Sequence, residues 1–260
     1  MSNYETILFE QSGETVTVTL NQPKFNFFTM QMQEELIHVW RSLRTNMAAR
    51  FVILTGQGEN FTAGADVQAL NAEDIAPAEA RKVQLTGHEM MRSLESLEQV
   101  TVCAMRGASV GAGMAVAQAC DFRIMTEDSF YSLPESMIGS YYTWGATPRL
   151  VRMVGASKAM EIVMTGDLIT AHEAYRLNLA NKVVPNDSLL EATHEFIAKI
   201  AAKGPASIRL TKKIALAASL EGLGNMFIIE PELFPLVACS GDLKEGIDAF
   251  LQKRKPKFSE

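Results

Sequence analysis

"SVGAGMAVAQACD", Ser109 to Asp121, decides how this chain is read: it sets glycines and small residues where a strand turns into a helix, with no charged side chain before Asp121. Three readings compete for "GAGMAV". A dinucleotide fingerprint needs GxGxxG, or its final-alanine variant, and an acidic residue about 20 positions further on. Val116 stands at its third glycine position. Close packing of a buried helix on a sheet uses small residues in the same way. The third reading is an anion site made of main chain, since N–H groups at a helix N-terminus hold negative charge without any side chain. "FTAGADV", Phe61 to Val67, offers the same chemistry a second time. It follows the apolar run "FVILTG" and sets glycine between alanines ahead of an expected helix. Two such loops supply two converging amides, which is what a carbonyl oxygen turning negative in a transition state requires.

The flanking sequence frames these loops with alternating elements. "ETILFEQSGETVTVTLN" alternates apolar and polar residues on both sides of Ser12-Gly13, the pattern of a hairpin. Thr29 is placed to cap a helix whose apolar positions Met32, Leu36, Val39, Trp40 and Leu43 recur every three or four residues. A short buried strand ("RFVILTG"), a helix ("EARKVQLTGHEMMRSLESLEQ"), a strand ("VTVCAMRG"), the small-residue helix and two short strands ("FRIMTEDSFYSL") follow. This order predicts an α/β fold. From Arg149 onward strands nearly vanish, and three helical stretches close the chain. A boundary near 190 divides a core, 1–190, from a helical region, 191–260.

Composition narrows the function. At 260 residues and 47% hydrophobic content the chain can bury a sizeable core. A formal charge of -6 gives no long-range attraction for nucleic acid or an anionic membrane, so neither is an expected partner. Cys103, Cys120 and Cys239 are odd in number and far apart, which argues against disulfides and CxxC motifs and makes the cytoplasm the expected compartment. No signal segment or membrane span is expected. His38, His88, His172 and His194 show no ligand spacing, so no metal is expected. The 14 methionines read as core filler.

"FTAGADV", then "RGASVGAGMAVAQACDFRIMTEDSFYSLPE", "GATPRL" and the closing "EGIDAFLQKRKPKF" resemble, in order and spacing, the enoyl-CoA hydratase/isomerase family, the crotonases. The resemblance runs from the first hairpin to the C-terminus. It implies a spiral of ββα units, a helical C-terminal region that mediates trimer formation (a homotrimer or a dimer of trimers), acyl-CoA thioester substrates, and no cofactor beyond the coenzyme A of the substrate. It also implies that the amides of Ala65 and Ala112 form an oxyanion hole, within loops that carry Ala63, Gly64 and Gly111. Ala112 departs from the commoner glycine, but the donor is main chain. Asp66 edges the first loop and Asp121 the end of the small-residue helix; both read as structural, one capping the helix after the first loop and one bonding main chain near the strand that follows the second.

Family hydratases hold a water between two glutamates. Here the first position is Ala115, and the second is Glu135 in "SLPES". One carboxylate suffices to take a proton from one carbon and return it to another. The expected activity is therefore conversion of 3-enoyl-CoA to 2-enoyl-CoA. The alternative is an enoyl-CoA hydratase or hydratase-lyase in which Glu135 works with a tyrosine or a water, and a non-catalytic binding subunit is the rival from another class. "FYSLPESMIG" and "SYYTWG" are expected to form apolar walls that raise the pKa of Glu135. Tyr141, Tyr142 and Trp144 replace the glycine and proline of many relatives and either reshape the acyl pocket or pack as core. Lys24 and the terminal run Lys253, Arg254, Lys255 and Lys257 are candidates for the coenzyme A phosphates, against the reading of the run as a solvated tail. Lys212 and Lys213 are equally open.

Overall fold

The computed structural model describes residues 4–66, 77–221, 233–234, 236 and 241–258. It divides into two compact units, Met1–Thr193 and His194–Glu260.

The first unit opens with the expected hairpin, Ile7–Ser12 (β1) against Thr15–Leu20 (β2), antiparallel with Ser12 opposite Thr15. Strand β2 buries Val16, Val18 and Leu20, every second side chain. Phe51–Gly56 (β3) and Val100–Met105 (β4) extend the sheet in parallel, and their near-continuous burial suits strands covered on both faces. Ala108–Val110 (β5) then leaves this sheet, which continues through Phe122–Thr126 (β6). Phe130–Ser132 (β7) and Ile169–Thr170 (β8) join β5 in a three-stranded sheet, and Lys182–Val184 (β9) completes the larger one in the order β1-β2-β3-β4-β6-β9.

Helix Met30–Leu43 (α1) starts where Thr29 accepts the Met32 amide at 3.2 Å, and its buried stripe contains all five expected apolar positions. Pro77–Glu95 (α2) packs on it. Ala112–Ala119 (α3) is buried at every residue. The helix expected directly after "FTAGADV" falls on residues 67–76, outside the described residues.

Ala146–Val154 (α4) is formed by the "GATPRL" motif, to which the sequence pattern assigns no element. Pro148 lies in the first turn, where a missing N–H costs no intrahelical bond, and Gly145 and Gly155 flank the helix with φ of 73° and 80°. Ala156–Thr165 (α5) and Ala171–Arg176 (α6) follow, the latter capped by Thr170.

Leu189–Ala201 (α7) runs across the boundary between the units. The second unit holds Pro205–Glu221 (α8) and Asp242–Leu251 (α9), with the Asp242 carboxylate accepting the Ala206 amide at 3.4 Å. Among the described residues no helix is long and apolar enough to cross a membrane.

Candidate active site

The two glycine loops are sewn together by main chain. Thr62 donates to the Ala108 carbonyl, and Val110 donates to that of Thr62, each at 3.1 Å, forming a parallel bridge between Thr62 and Ser109. Gly64 has φ 95°, and a Cβ there would lie 2.7 Å from the Val110 oxygen and 3.8 Å from the Ala112 nitrogen. Only glycine permits that approach. Asn26 fastens the first loop from outside, its side-chain amide reaching the carbonyls of Gln57, Asn60 and Phe61 at 3.0 to 3.2 Å. The Thr62 hydroxyl donates to the Asn26 carbonyl at 2.6 Å and accepts the Gly64 amide at 3.0 Å.

Ala112 is the first residue of α3, so its N–H has no acceptor within the helix. Among the described residues no acceptor takes the amide of Ala65 or of Ala112. The second reading of "GAGMAV", helix packing, holds at once: a Cβ on Gly113 would meet the Thr62 methyl at 2.5 Å. Small residues here bring the loops close, and the closeness presents the free amides.

Glu135 opens a 3-10 turn, Glu135–Ile138, after Pro134. Its carboxyl lies over Gly111, where a Cβ would sit 2.5 Å from Oε1. Oε2 is buried without a hydrogen-bond partner among the described residues. Burial raises its pKa, opposed in part by a hydrogen bond from its own main-chain amide. Ala115, one turn beyond Ala112, presents a methyl to the same space.

The aromatic segment separates into inside and outside positions. Tyr141 is 72% exposed, whereas Tyr142 and Trp144 are buried. The Tyr142 hydroxyl faces Gln118 Oε1 at 3.4 Å, and burial first, the Glu135 charge second, push its pKa well above the usual phenol value. Tyr142 stays protonated. Trp144 lays its indole directly on the Cα of Gly87 in α2 and meets Phe28 edge to face at 6.3 Å. Arg149 donates to the Trp144 carbonyl at 3.0 Å and forms a two-point pair with Glu95 at 2.7 and 3.0 Å. A cavity of about 740 Å³ joins these parts, lined by Ala63, Gly64, Ala65, Asp66, Gly111, Ala112, Glu135 and residues Tyr141 to Trp144, with Phe28 and Gln33 from the α1 side and Val83 from α2.

A family model described as enoyl-CoA hydratase/isomerase matches residues 10–260. The chain belongs to the enoyl-CoA hydratase/isomerase family. It is 32% identical over 257 residues to the crotonyl-CoA hydratase of Syntrophomonas wolfei, covering 98% of both chains. It is also 32% identical over 251 residues to the short-chain-enoyl-CoA hydratase of Clostridium acetobutylicum, covering 96% of this chain and 95% of the relative. The solved enoyl-CoA hydratase of Bacillus anthracis superposes with TM-score 0.92 at 31% identity, over 98% of this chain and 99% of that one. DspI of Pseudomonas aeruginosa gives 0.93 at 28% identity, over 100% and 98%.

The fold is thus the crotonase fold that the motifs implied. This member of the family brings together Ala65, Ala112, Glu135, their flanking glycines, Asp66 and the aromatic segment. Lys24 is exposed in a left-handed turn with φ 74°, two residues from Asn26, and is not among the residues lining the cavity. Lys253 and Lys257 are exposed in the second unit. The tail is less free than a solvated run: Arg254 grips Glu245 at 2.6 and 2.9 Å, and the Lys257 amide bonds it too, holding that carboxyl down at about 2. Of the two readings of the aromatic segment, packing as core holds for Trp144 against Gly87 of α2, while the same side chain also lines the cavity. Asp121 bonds main chain as expected, but on β4, accepting the Thr101 amide at 2.7 Å.

Asn26, Thr62 and Gln118 were not singled out from sequence. The signal for Asn26 was its place in "PKFN": asparagine tolerates the left-handed conformation it takes, φ 51°, while its side chain bonds backbone.

Proposed function

We propose that this chain adds water to a 2-enoyl-CoA with Glu135 as its single carboxylate. The observation that carries the reading is the Glu135 carboxyl lying over Gly111, next to the free Ala112 amide. The relatives from Syntrophomonas and Clostridium both carry the name of a hydratase, which favours hydration over double-bond migration.

In this mechanism the thioester oxygen accepts from the Ala65 and Ala112 amides, and the acyl chain runs along the cavity. Ionised Glu135 takes a proton from water as its oxygen bonds to C3. The C2–C3 π pair moves towards the carbonyl, and the enolate oxygen is held by the two amides, which act on charge that exists only beyond the ground state. Glu135 then returns the proton to C2. One group takes and gives, so no second carboxylate is required. Ala115 leaves room for water where relatives with two glutamates carry the other carboxylate. Neutral Tyr142 bounds the same space and lends a hydroxyl to orient that water.

A second reading, migration of the double bond from 3-enoyl-CoA to 2-enoyl-CoA, is favoured by Ala115 itself. It uses the same base, with the proton leaving C2 and returning at C4. Product chromatography on matched 2-enoyl and 3-enoyl thioesters separates the two. A 3-hydroxyacyl product from the 2-enoyl substrate supports hydration; migration without hydration supports the second reading; turnover of neither overturns both. Grip of the coenzyme A by Lys24 and the terminal lysines, and trimer assembly, belong to the same proposal and are tested by charge reversal and by light scattering.

A further inference from the structure

We propose that Trp144, seated on Gly87, is the end wall of the acyl pocket and restricts this protein to short acyl chains. The inference rests on the proposed acyl-CoA site and adds the length of its acyl group. Trp144 lines the same cavity as Glu135, the group that works at C2 in the proposed mechanism, and as Tyr142. Trp144 is two residues further along, a span of at most about 7 Å. An acyl chain that leaves the reacting carbons along this wall meets the indole inside the cavity.

The wall is built to stay in place. The indole covers the Cα of Gly87, where any side chain would collide with it, and stands edge-on to Phe28 at 89°. It is 4% exposed. Its backbone takes φ 57°, a conformation that a bulky residue rarely adopts and that needs support from its surroundings. Arg149 supplies that support: bonded to the Trp144 carbonyl and paired with Glu95, it fixes the turn from below. Phe28 is bridged to Ala65, so the same aromatic pair that ends the pocket is registered to the first oxyanion loop.

The test is calorimetric binding of saturated butanoyl-, hexanoyl-, octanoyl- and decanoyl-CoA to the full chain, the Trp144→Ala and Trp144→Phe variants, and Gly87→Ala, with turnover of the matching 2-enoyl thioesters measured beside it. The full chain is expected to bind butanoyl- or hexanoyl-CoA best and to lose at least about 10-fold by decanoyl-CoA, the scale on which hydrophobic pockets reject surplus methylenes. Trp144→Ala is expected to move the optimum to octanoyl- or decanoyl-CoA, gaining roughly 4-fold per newly buried methylene. Trp144→Phe keeps an aromatic filler and gives an intermediate shift if the alanine variant does not fold. Gly87→Ala pushes the indole into the pocket and shifts the optimum the other way. Equal affinity of the full chain for all four ligands, or the same profile in folded Trp144 variants, overturns the wall and leaves the hydratase reading standing. Absence of binding by every acyl-CoA overturns the proposed function and the wall with it.

Discussion

The carboxyl of Glu135 rests against the Cα of Gly111, the residue that caps the small-residue helix, with φ 46° and no space for a side chain. Replacing Gly111 with alanine places a methyl 2.5 Å from Oε1 and adds left-handed strain. Glu135 must move, and misplacement of a catalytic group by about 1 Å costs on the order of 100-fold. Gly111→Ala is expected to lower kcat by about that factor while the protein still binds acyl-CoA. Steady-state kinetics with parallel calorimetry check it; unchanged kcat removes Glu135 from the chemistry.

The proposed base must be ionised to accept the water proton. Because burial raises the Glu135 pKa above its ordinary 4.5, kcat/KM is expected to fall on the acid side with a midpoint higher than that of an exposed glutamate. An acid-limb midpoint no higher than that of an exposed glutamate contradicts the assignment.

The same shift carries a stability consequence of opposite sense. Between the usual carboxylate value and the raised one, the folded protein binds more protons than the unfolded chain, so stability falls as pH rises through that window. Glu135→Gln is expected to remove this slope and raise the melting temperature near neutral pH, while lowering kcat at least about 1000-fold for loss of the only base. Thermal melts of both proteins against pH measure the first part. A melting temperature that drops with the substitution means the carboxylate stabilises the fold rather than straining it.

The amide pair depends on a close approach that side chains cannot supply. Gly64→Ala sets a Cβ 2.7 Å from the Val110 oxygen and forces the two loops apart. Loss of one oxyanion donor costs about 100- to 1000-fold in kcat. The expected result is a fall of that size with little change in KM; an unaffected rate means the oxyanion is stabilised elsewhere.

Much of this arrangement was legible in the chain because glycine reports backbone geometry directly. Gly64 and Gly111 marked the approach of two loops, and the hairpin and α1 followed from periods of two and of three to four. Helix α4 was not legible, since Pro148 reads as a breaker when its place in the first turn is unknown. Nor was the sorting of the aromatic segment. Tyr141 points to solvent while Tyr142 and Trp144 are buried, a division made by contacts with Gln118, Gly87 and Phe28 that lie 24 to 116 positions away in the chain. Local pattern carries no record of such contacts.

Ala115 offers the converse experiment. It sits one turn after the Ala112 amide, buried at 1% exposure but lining the cavity, at the position where two-glutamate relatives carry a carboxylate. Ala115→Glu introduces a second acid beside the water that the proposed mechanism places at Glu135, and two carboxylates close together push their pKa values apart, so that one is ionised while the other is protonated. Hydration is then expected to rise by up to about 100-fold, the lower end of what a positioned acid contributes, with the acid limb of the pH profile displaced further upward. Migration of the double bond should not gain, because it uses one group for both transfers. A rise in migration instead, with hydration unchanged, means that the space beside Ala115 is filled by the acyl chain rather than by water.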